Sequence, residues 1–199
     1  MSSTKDTRVK ILSAALALIR RRGAGASLGR IARAARVSRQ AIYLHFADRA
    51  DLLTALVRFV DEKRGLPDKL REIREASSGV AALRAMVALQ ATDNPILWPI
   101  ARAFDAVRRD DPAVERSWQD RLDDRLQGCR AIVARLQAEN SLRADLDPGV
   151  AVDLLWTITS LRMWEDLVVQ RGWSAETFQD HVNRLLLESI TNVPLRSWA

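Results

Sequence analysis

Between residues 36 and 49 the chain brings together Arg36, Arg39, Gln40, Tyr43 and Arg49. Arginine offers a planar fork of donors, glutamine a matched donor and acceptor, and tyrosine a hydroxyl on a rigid ring. Such side chains grip phosphate oxygens and read the edges of base pairs. On a helical wheel at about 100° per residue, Arg39, Tyr43, Gln40 and Leu44 share one arc, and Ser38, Ala41 and Ile42 fall on the other. One face is small and apolar, fit to pack on neighbouring helices, and the other is fit for contact. Any surface helix has a polar face, yet Tyr43 is the only tyrosine in the chain and sits beside the basic cluster. Arg49 adds a second argument. Asp48 reads as the N-cap of the next helix, so a cation in that first turn opposes the macrodipole. A docked phosphate would reverse the penalty and use the open backbone N–H groups.

Charge is distributed to match. Residues 1–50 hold eleven Lys and Arg against Asp6 and Asp48, a balance of +9, while the remainder of the chain carries −3. A solvated face explains scattered basic residues, but not such a split within one chain. Polyanion binding by the N-terminal quarter is implied.

The elements that position these residues follow from periodicity. With 48% apolar residues, few glycines and prolines, and no convincing alternating run, the composition predicts an all-α protein. A first helix is expected over 7–22, with Val9, Leu12, Leu16 and Ile19 at helical spacing and Gly23 closing it. Ser27 caps a second helix over 28–35, a break at 36–38 follows, and a third helix spans about 39–45. Two short helices joined by a tight turn behind a longer one form the arrangement that lays its second member in the DNA major groove. The apolar stretch 11–19 runs into Arg20, Arg21 and Arg22 rather than a cleavage site and is too short to span a bilayer, so an amphipathic helix is the better reading. Asp48 and Asp51 open a fourth helix, and a weak charged segment follows to residue 79. Further helices are predicted at 80–92, 95–109, 112–139, 148–170 and 175–191, several of them starting at Asp-Pro or Ser caps. The expected domains are 1–50 for DNA binding and 51–199 for a helical remainder.

The stretch SLGRIARAARVSRQAIYLHFADRADLL (27–53) resembles the signature of the tetracycline-repressor (TetR) family of bacterial regulators. Its matching positions are Ile31-Ala32, Ala35, Val37-Ser38, Ala41, Tyr43, His45-Phe46 and Asp51-Leu52. The resemblance implies an N-terminal three-helix DNA-binding domain followed by a helical domain for ligand binding and dimerisation. It assigns phosphate contacts to Tyr43 and His45, base contacts to Arg39, Gln40 and Leu44, and backbone contacts to Ser27 and Arg49; Ser38 is counted with this set. Two positions depart from the pattern. Arg49 replaces a lysine and keeps its charge. Arg36 replaces the turn glycine, which puts a side chain where a left-handed backbone is needed, at about 1–2 kcal/mol; a phosphate contact by Arg36 would offset part of that.

All six tryptophans lie at or beyond residue 98. Some must be plain core, but aromatic walls also line apolar ligand pockets. With the small-molecule site that the resemblance implies, Met86, Trp98, Phe104, Trp118, Trp156 and Met163 are the candidate ligand residues. The helix expected at 148–170 is apolar on nearly every side, so it must meet a second buried surface besides its own core. The segment RGWSAETFQDHVNRLLLESI resembles the last helix of the family, where the two final long helices pair about a twofold axis. Leu154, Leu161, Phe178, Val182 and Leu186 are the expected interface residues of a homodimer, a symmetry that suits a palindromic operator.

The expected function is a cytoplasmic repressor released from its operator by a small, largely apolar molecule, without a cofactor, a metal or a membrane. A DNA-binding regulator or nucleoid-type binder with no ligand is the alternative, against which the aromatic second half weighs. An enzyme is disfavoured: His45 and His181 neighbour neither Cys129 nor a nucleophile motif, and no glycine-rich phosphate loop occurs. Asp123-Asp124 and Glu165-Asp166 read as solvated charge.

Overall fold

The computed structural model describes residues 4–22 and 27–193. Gly23, expected to close the first helix, and Trp198 lie outside them. The described residues are helical with no strand, apart from one antiparallel bridge between Leu142 and Thr191. In order they form α1 (Thr4–Arg22), α2 (Leu28–Ala35), α3 (Arg39–Tyr43), α4 (Arg49–Lys63) and α5 (Leu66–Arg74). There follow α6 (Gly79–Asp105), α7 (Pro112–Ala138), α8 (Pro148–Ile158), α9 (Leu161–Trp164), a π-helical segment (Glu165–Gln170) and α10 (Ala175–Ile190).

The chain divides into two compact units. The first comprises Met1–Leu66 and Ile96–Arg121, the second Pro67–Pro95 and Leu122–Ala199. In the first unit, Ile11, Leu12, Ala15 and Ile19 of α1 meet Ile31 and Ala32 of α2, Ile42 of α3 and Phe46 behind it. Leu52, Leu53, Leu56 and Val60 of α4 join the same core, as do Ile100, Ala103 and Phe104 of α6 and Val114 of α7. This division differs from a cut after residue 50, because the apolar stripe of α4 is spent on the core of α1–α3. On α1 the buried stripe is turned slightly from the expected one: Val9 is exposed and Leu16 half-buried, while Ile11 and Ala15 are sealed.

The second unit buries Ile73 of α5, Ala82, Leu83, Met86 and Val87 of α6, and Cys129, Ile132, Val133 and Leu136 of α7. Ala151 and Leu155 of α8, Trp164 of α9, and Phe178, Val182, Leu186, Leu187 and Ile190 of α10 complete its buried set. Phe178, Val182 and Leu186 are 0%, 1% and 0% exposed, so they have no surface left to give to a partner, contrary to the interface role expected of them. Their spacing marked a buried face, and that face is used inside the subunit. Leu154 and Leu161 are half-buried and keep some surface, and Val150, Val169 and Leu185 are exposed.

Three segmentations differ from the sequence reading. The helices expected at 80–92 and 95–109 are one, α6, which runs through Pro95 and Pro99. The buried apolar residues on either side outweigh the backbone hydrogen bonds lost at those prolines. The weak charged segment forms α5, which buries only Ile73. The helix expected over 148–170 is interrupted at Thr159-Ser160, where the Thr159 hydroxyl donates to the Leu155 carbonyl and the Ser160 hydroxyl caps α9 by accepting the Met163 N–H at 3.1 Å. Side-chain hydroxyls here compete with the helical ladder.

Candidate nucleic-acid interface

The reading helix is short and held at both ends. Ser38 begins α3 with extended backbone, and its hydroxyl accepts the Ala41 N–H at 3.0 Å. Ile42 is wholly buried beneath the helix. The chain then turns so that the N–H groups of His45 and Phe46 both donate to the Ile42 carbonyl at 2.9 Å. Phe46 is 1% exposed and lies under the Arg8 guanidinium, 5.2 Å from its ring centre, which fastens the end of α3 to α1. With Ile42 and Phe46 sunk in the core, the opposite face must point outward. Arg39 and Gln40 are exposed, Tyr43 is 47% exposed and Leu44 81%. The wheel drawn from sequence therefore holds: Arg39, Gln40, Tyr43 and Leu44 share the outward surface. An apolar Leu44 so far into water has no folding role, and its methyl groups suit contact with a thymine methyl.

The surrounding residues are placed by caps. Ser27 opens α2, its hydroxyl accepting the Arg30 N–H at 3.4 Å, and stays exposed. Asp48 accepts the Asp51 N–H at 2.8 Å while Asp51 accepts the Ala47 N–H at 3.0 Å. These two bonds satisfy N–H donors on either side of the N-cap and set Arg49, half-buried, as the first residue of α4. His45 is half-buried beside Phe46, ring centres 6.3 Å apart. Sequence reasoning did not single out Arg30 and Arg33, which with Leu18 and Ala34 line an open groove of about 260 Å³. Their signal was the basic excess of residues 1–50.

Arg36 has φ 56° and ψ 43°, the left-handed conformation that its glycine-like position requires. Its N–H donates to the Arg33 carbonyl and that of Val37 to the Ala32 carbonyl at 3.0 Å, closing α2 and aiming the chain into α3. The side chain is exposed. Arg36→Gly is expected to raise stability by about 0.5–1 kcal/mol, the left-handed penalty less the entropy of glycine. Thermal unfolding should show a melting point higher by about 1–4 °C. The same substitution should flatten the salt dependence of DNA binding if Arg36 holds a phosphate, and leave it unchanged if its charge is idle.

The six expected ligand residues divide between the units. Trp98, Phe104 and Trp118 belong to the first. Phe104 is sealed in its core, with the Trp118 ring 6.0 Å away, and Trp98 lies under Arg102 at 5.7 Å. Met86, Trp156 and Met163 belong to the second, where Met86 is buried and the other two are half-buried. Cys129 is buried there, and desolvation pushes its thiol up to about 11, so it stays protonated at neutral pH and is no nucleophile. Among the described residues no group of three or more His, Cys, Asp or Glu is placed to hold a metal ion, and no helix is long and apolar enough to cross a membrane.

A capped two-helix reading unit with an outward arginine, glutamine, tyrosine and leucine, carried on a larger helical body, defines a helix-turn-helix DNA-binding protein. Residues 11–56 match the model of the family described as bacterial regulatory proteins, tetR family. The match covers the N-terminal helices, and over them the chain is similar to that family. Solved structures agree in fold. A transcriptional regulator from Saccharomonospora viridis in complex with choline superposes with a TM-score of 0.76 at 21% identity, covering 95% of this chain and all of that one. FadR from Bacillus subtilis in complex with stearoyl-CoA gives 0.73 at 18% identity over 92% of this chain and 98% of that one. A TetR-family transcriptional regulator from Mesorhizobium loti gives 0.72 at 20% identity over 96% and 100%. At these identities the likeness is one of fold. No match is found among curated proteins.

Proposed function

We propose that the protein is a homodimeric cytoplasmic repressor that holds a palindromic operator and leaves it when a small, largely apolar molecule binds. The exposed face of α3 carries this reading: Arg39, Gln40 and Leu44 meet bases, and Tyr43 and His45 hold phosphates. Ser27, Arg36, Ser38 and Arg49 add backbone contacts around them. Residues 1–50 act as the DNA-reading part and 51–199 as the sensing and dimerising part. Ligand binding by similar folds, to choline and stearoyl-CoA in the two complexes above, supports a sensing role for the second part. Met86, Trp156 and Met163 are the ligand residues favoured in the second unit, and Trp98, Phe104 and Trp118 in the first. Val150, Val169 and Leu185, with the half-buried Leu154 and Leu161, are the apolar surface offered to a partner subunit. Such association removes apolar area that a monomer would leave wet.

Footprinting on the DNA around the protein's own gene tests this reading. A protected palindrome with half-sites about one helical turn or slightly more apart is expected. Protection spread evenly without sequence preference would contradict it, as would a monomer at micromolar concentration in sedimentation.

Arg49 supplies a sharper test. Its replacement by glutamine should weaken binding to operator and random duplex alike. Each phosphate left unneutralised flattens the plot of log affinity against log salt by about 0.9, or about 1.8 for a dimer. Gln40→Ala should instead change sequence preference and keep most of the slope. A full salt slope in Arg49→Gln removes that residue from the phosphate contacts.

A further inference from the structure

The second unit holds a cation whose setting differs from that of the ion-paired ones. Several partly buried cations face carboxylates: Arg64 and Arg121 pair with Asp61 at 2.7 and 2.6 Å, and Lys69 with Asp93 at 2.7 Å. Arg125 of α7 is half-buried and has no carboxylate within ion-pairing distance among the described residues. Its Nη1 donates to the Trp156 carbonyl at 2.7 Å and to the Thr159 hydroxyl at 3.3 Å, and its other nitrogens donate to no described residue. The guanidinium lies over the Trp156 ring, 4.5 Å from the centroid. Desolvation depresses its pKa, the direction expected of a charge kept from water without an anion.

A second, independent observation lies in the ring beneath it. The Trp156 indole nitrogen is buried and donates to no described acceptor. A buried donor left unmade costs about 1–3 kcal/mol, and here it is stacked against a guanidinium that has donors to spare. Beside them α7 carries small residues. Gly128 and Cys129 follow Arg125 at the spacing that shares its helix face, and the Met86 methyl faces Gly128, 3.6 Å from where a Cβ would stand, an ordinary van der Waals contact.

We infer that Arg125 and Trp156 form the acid-recognising end of the effector site, which takes a compound with one carboxylate and an apolar body. This rests on the ligand-responsive reading proposed above and adds the chemistry of the ligand. One guanidinium and one indole N–H match the single charge and two oxygens of a carboxylate. The apolar body lies along Gly128 and Met86. The site also has a lever: Arg125 holds the last turn of α8 at the Thr159-Ser160 break. A carboxylate that draws the guanidinium toward itself weakens that hold and frees α8 to shift against α9.

The test uses the full chain with benzoate and octanoate, each against its neutral counterpart, benzamide and 1-octanol. Thermal shift and tryptophan fluorescence report binding, and a mobility-shift assay in the same series reports operator release. At least one acid should raise the melting point of the unaltered protein in a dose-dependent way while its neutral counterpart does not. In Arg125→Met the affinity for that acid should fall at least tenfold, whereas Arg162→Met, an exposed control, should keep it. Without acid, Arg125→Met should melt only slightly below the unaltered protein, since the desolvation spared offsets most of the lost hold on α8. The inference is overturned if neither acid shifts the melting point, if neutral and acid act alike, if Arg125→Met keeps its response, or if that variant melts far below the unaltered protein, which would make Arg125 a packing clamp. Operator release by a neutral compound alone sinks the acid site and keeps the ligand-responsive repressor. Acid binding lost in Arg125→Met but without effect on operator affinity keeps the site and removes the release mechanism.

Discussion

Tyr43→Ala is expected to abolish specific operator binding while leaving helicity and melting almost unchanged. Tyr43 is 47% exposed, so its ring contributes little to the core that Ile42 and Phe46 fill from the other side of the chain. Its hydroxyl projects with Arg39 and Gln40 from the one outward face of α3. A hydrogen bond to a charged group contributes about 1.5–3 kcal/mol. Removed from both reading heads of a dimer, that amounts to about a hundredfold or more in affinity. Mobility shift beside circular dichroism checks both halves of the statement. Unaltered affinity would remove Tyr43 from the interface, and a large fall in melting temperature would show that it serves the fold.

The second large effect concerns stability. A Cβ on Gly79, the first residue of α6, would stand 2.9 Å from the Leu136 backbone nitrogen and 3.0 Å from its Cδ2. The close approach also lets the Gly79 N–H donate to the Glu139 carboxylate at 2.7 Å, anchoring the start of α6 on the end of α7. Backbone cannot yield as a flexible side-chain tip can. Gly79→Ala is therefore expected to destabilise by about 1–3 kcal/mol, the range for overpacking a filled site. Gly29, inside α2, has nothing within 4 Å of its would-be Cβ, and there alanine should stabilise by about 0.5–1 kcal/mol. Opposite signs from the same substitution, read by thermal unfolding, are the expected outcome; a neutral Gly79→Ala would contradict the packing. The anchor also carries a pH dependence. The Gly79 hydrogen bond, and then Arg135, hold the Glu139 carboxyl below the usual carboxylate range. Its stabilising effect is thus complete above the unfolded pKa and is lost as pH falls through the lowered folded one.

Much of the DNA-reading unit was legible in the sequence because local rules govern it. Ser27, Ser38 and Asp48 are caps whose side chains bond N–H groups three residues on, and each begins a helix where the sequence placed it. The three-residue turn is equally local, and the left-handed backbone appears at Arg36, where the resemblance implied a glycine. Even the division of α3 into faces follows from a single period. None of these depends on what lies across the core.

Where distant segments compete, the sequence was silent or misleading. Phe178, Val182 and Leu186 display one apolar stripe, and a stripe does not say whether its partner is the same chain or another; tertiary packing placed them inside. The continuous apolar run over 148–170 hid the break at Thr159-Ser160, because two hydroxyls amid hydrophobic residues give no count of the carbonyls they will claim. The sequence placed a break before Pro95 and a new helix from it, yet α6 runs through without one, since burial on both sides contributes more than the missing hydrogen bonds cost. Nothing in the local sequence marks Arg125, and only the fold brought the Trp156 ring and the end of α8 to it. Periodicity and caps, acting over a few residues, decided the elements and the DNA-reading face. Which faces meet, which charges lose their water and which glycines must remain glycines depend on contacts between residues far apart in the chain, and these were decided only when it folded.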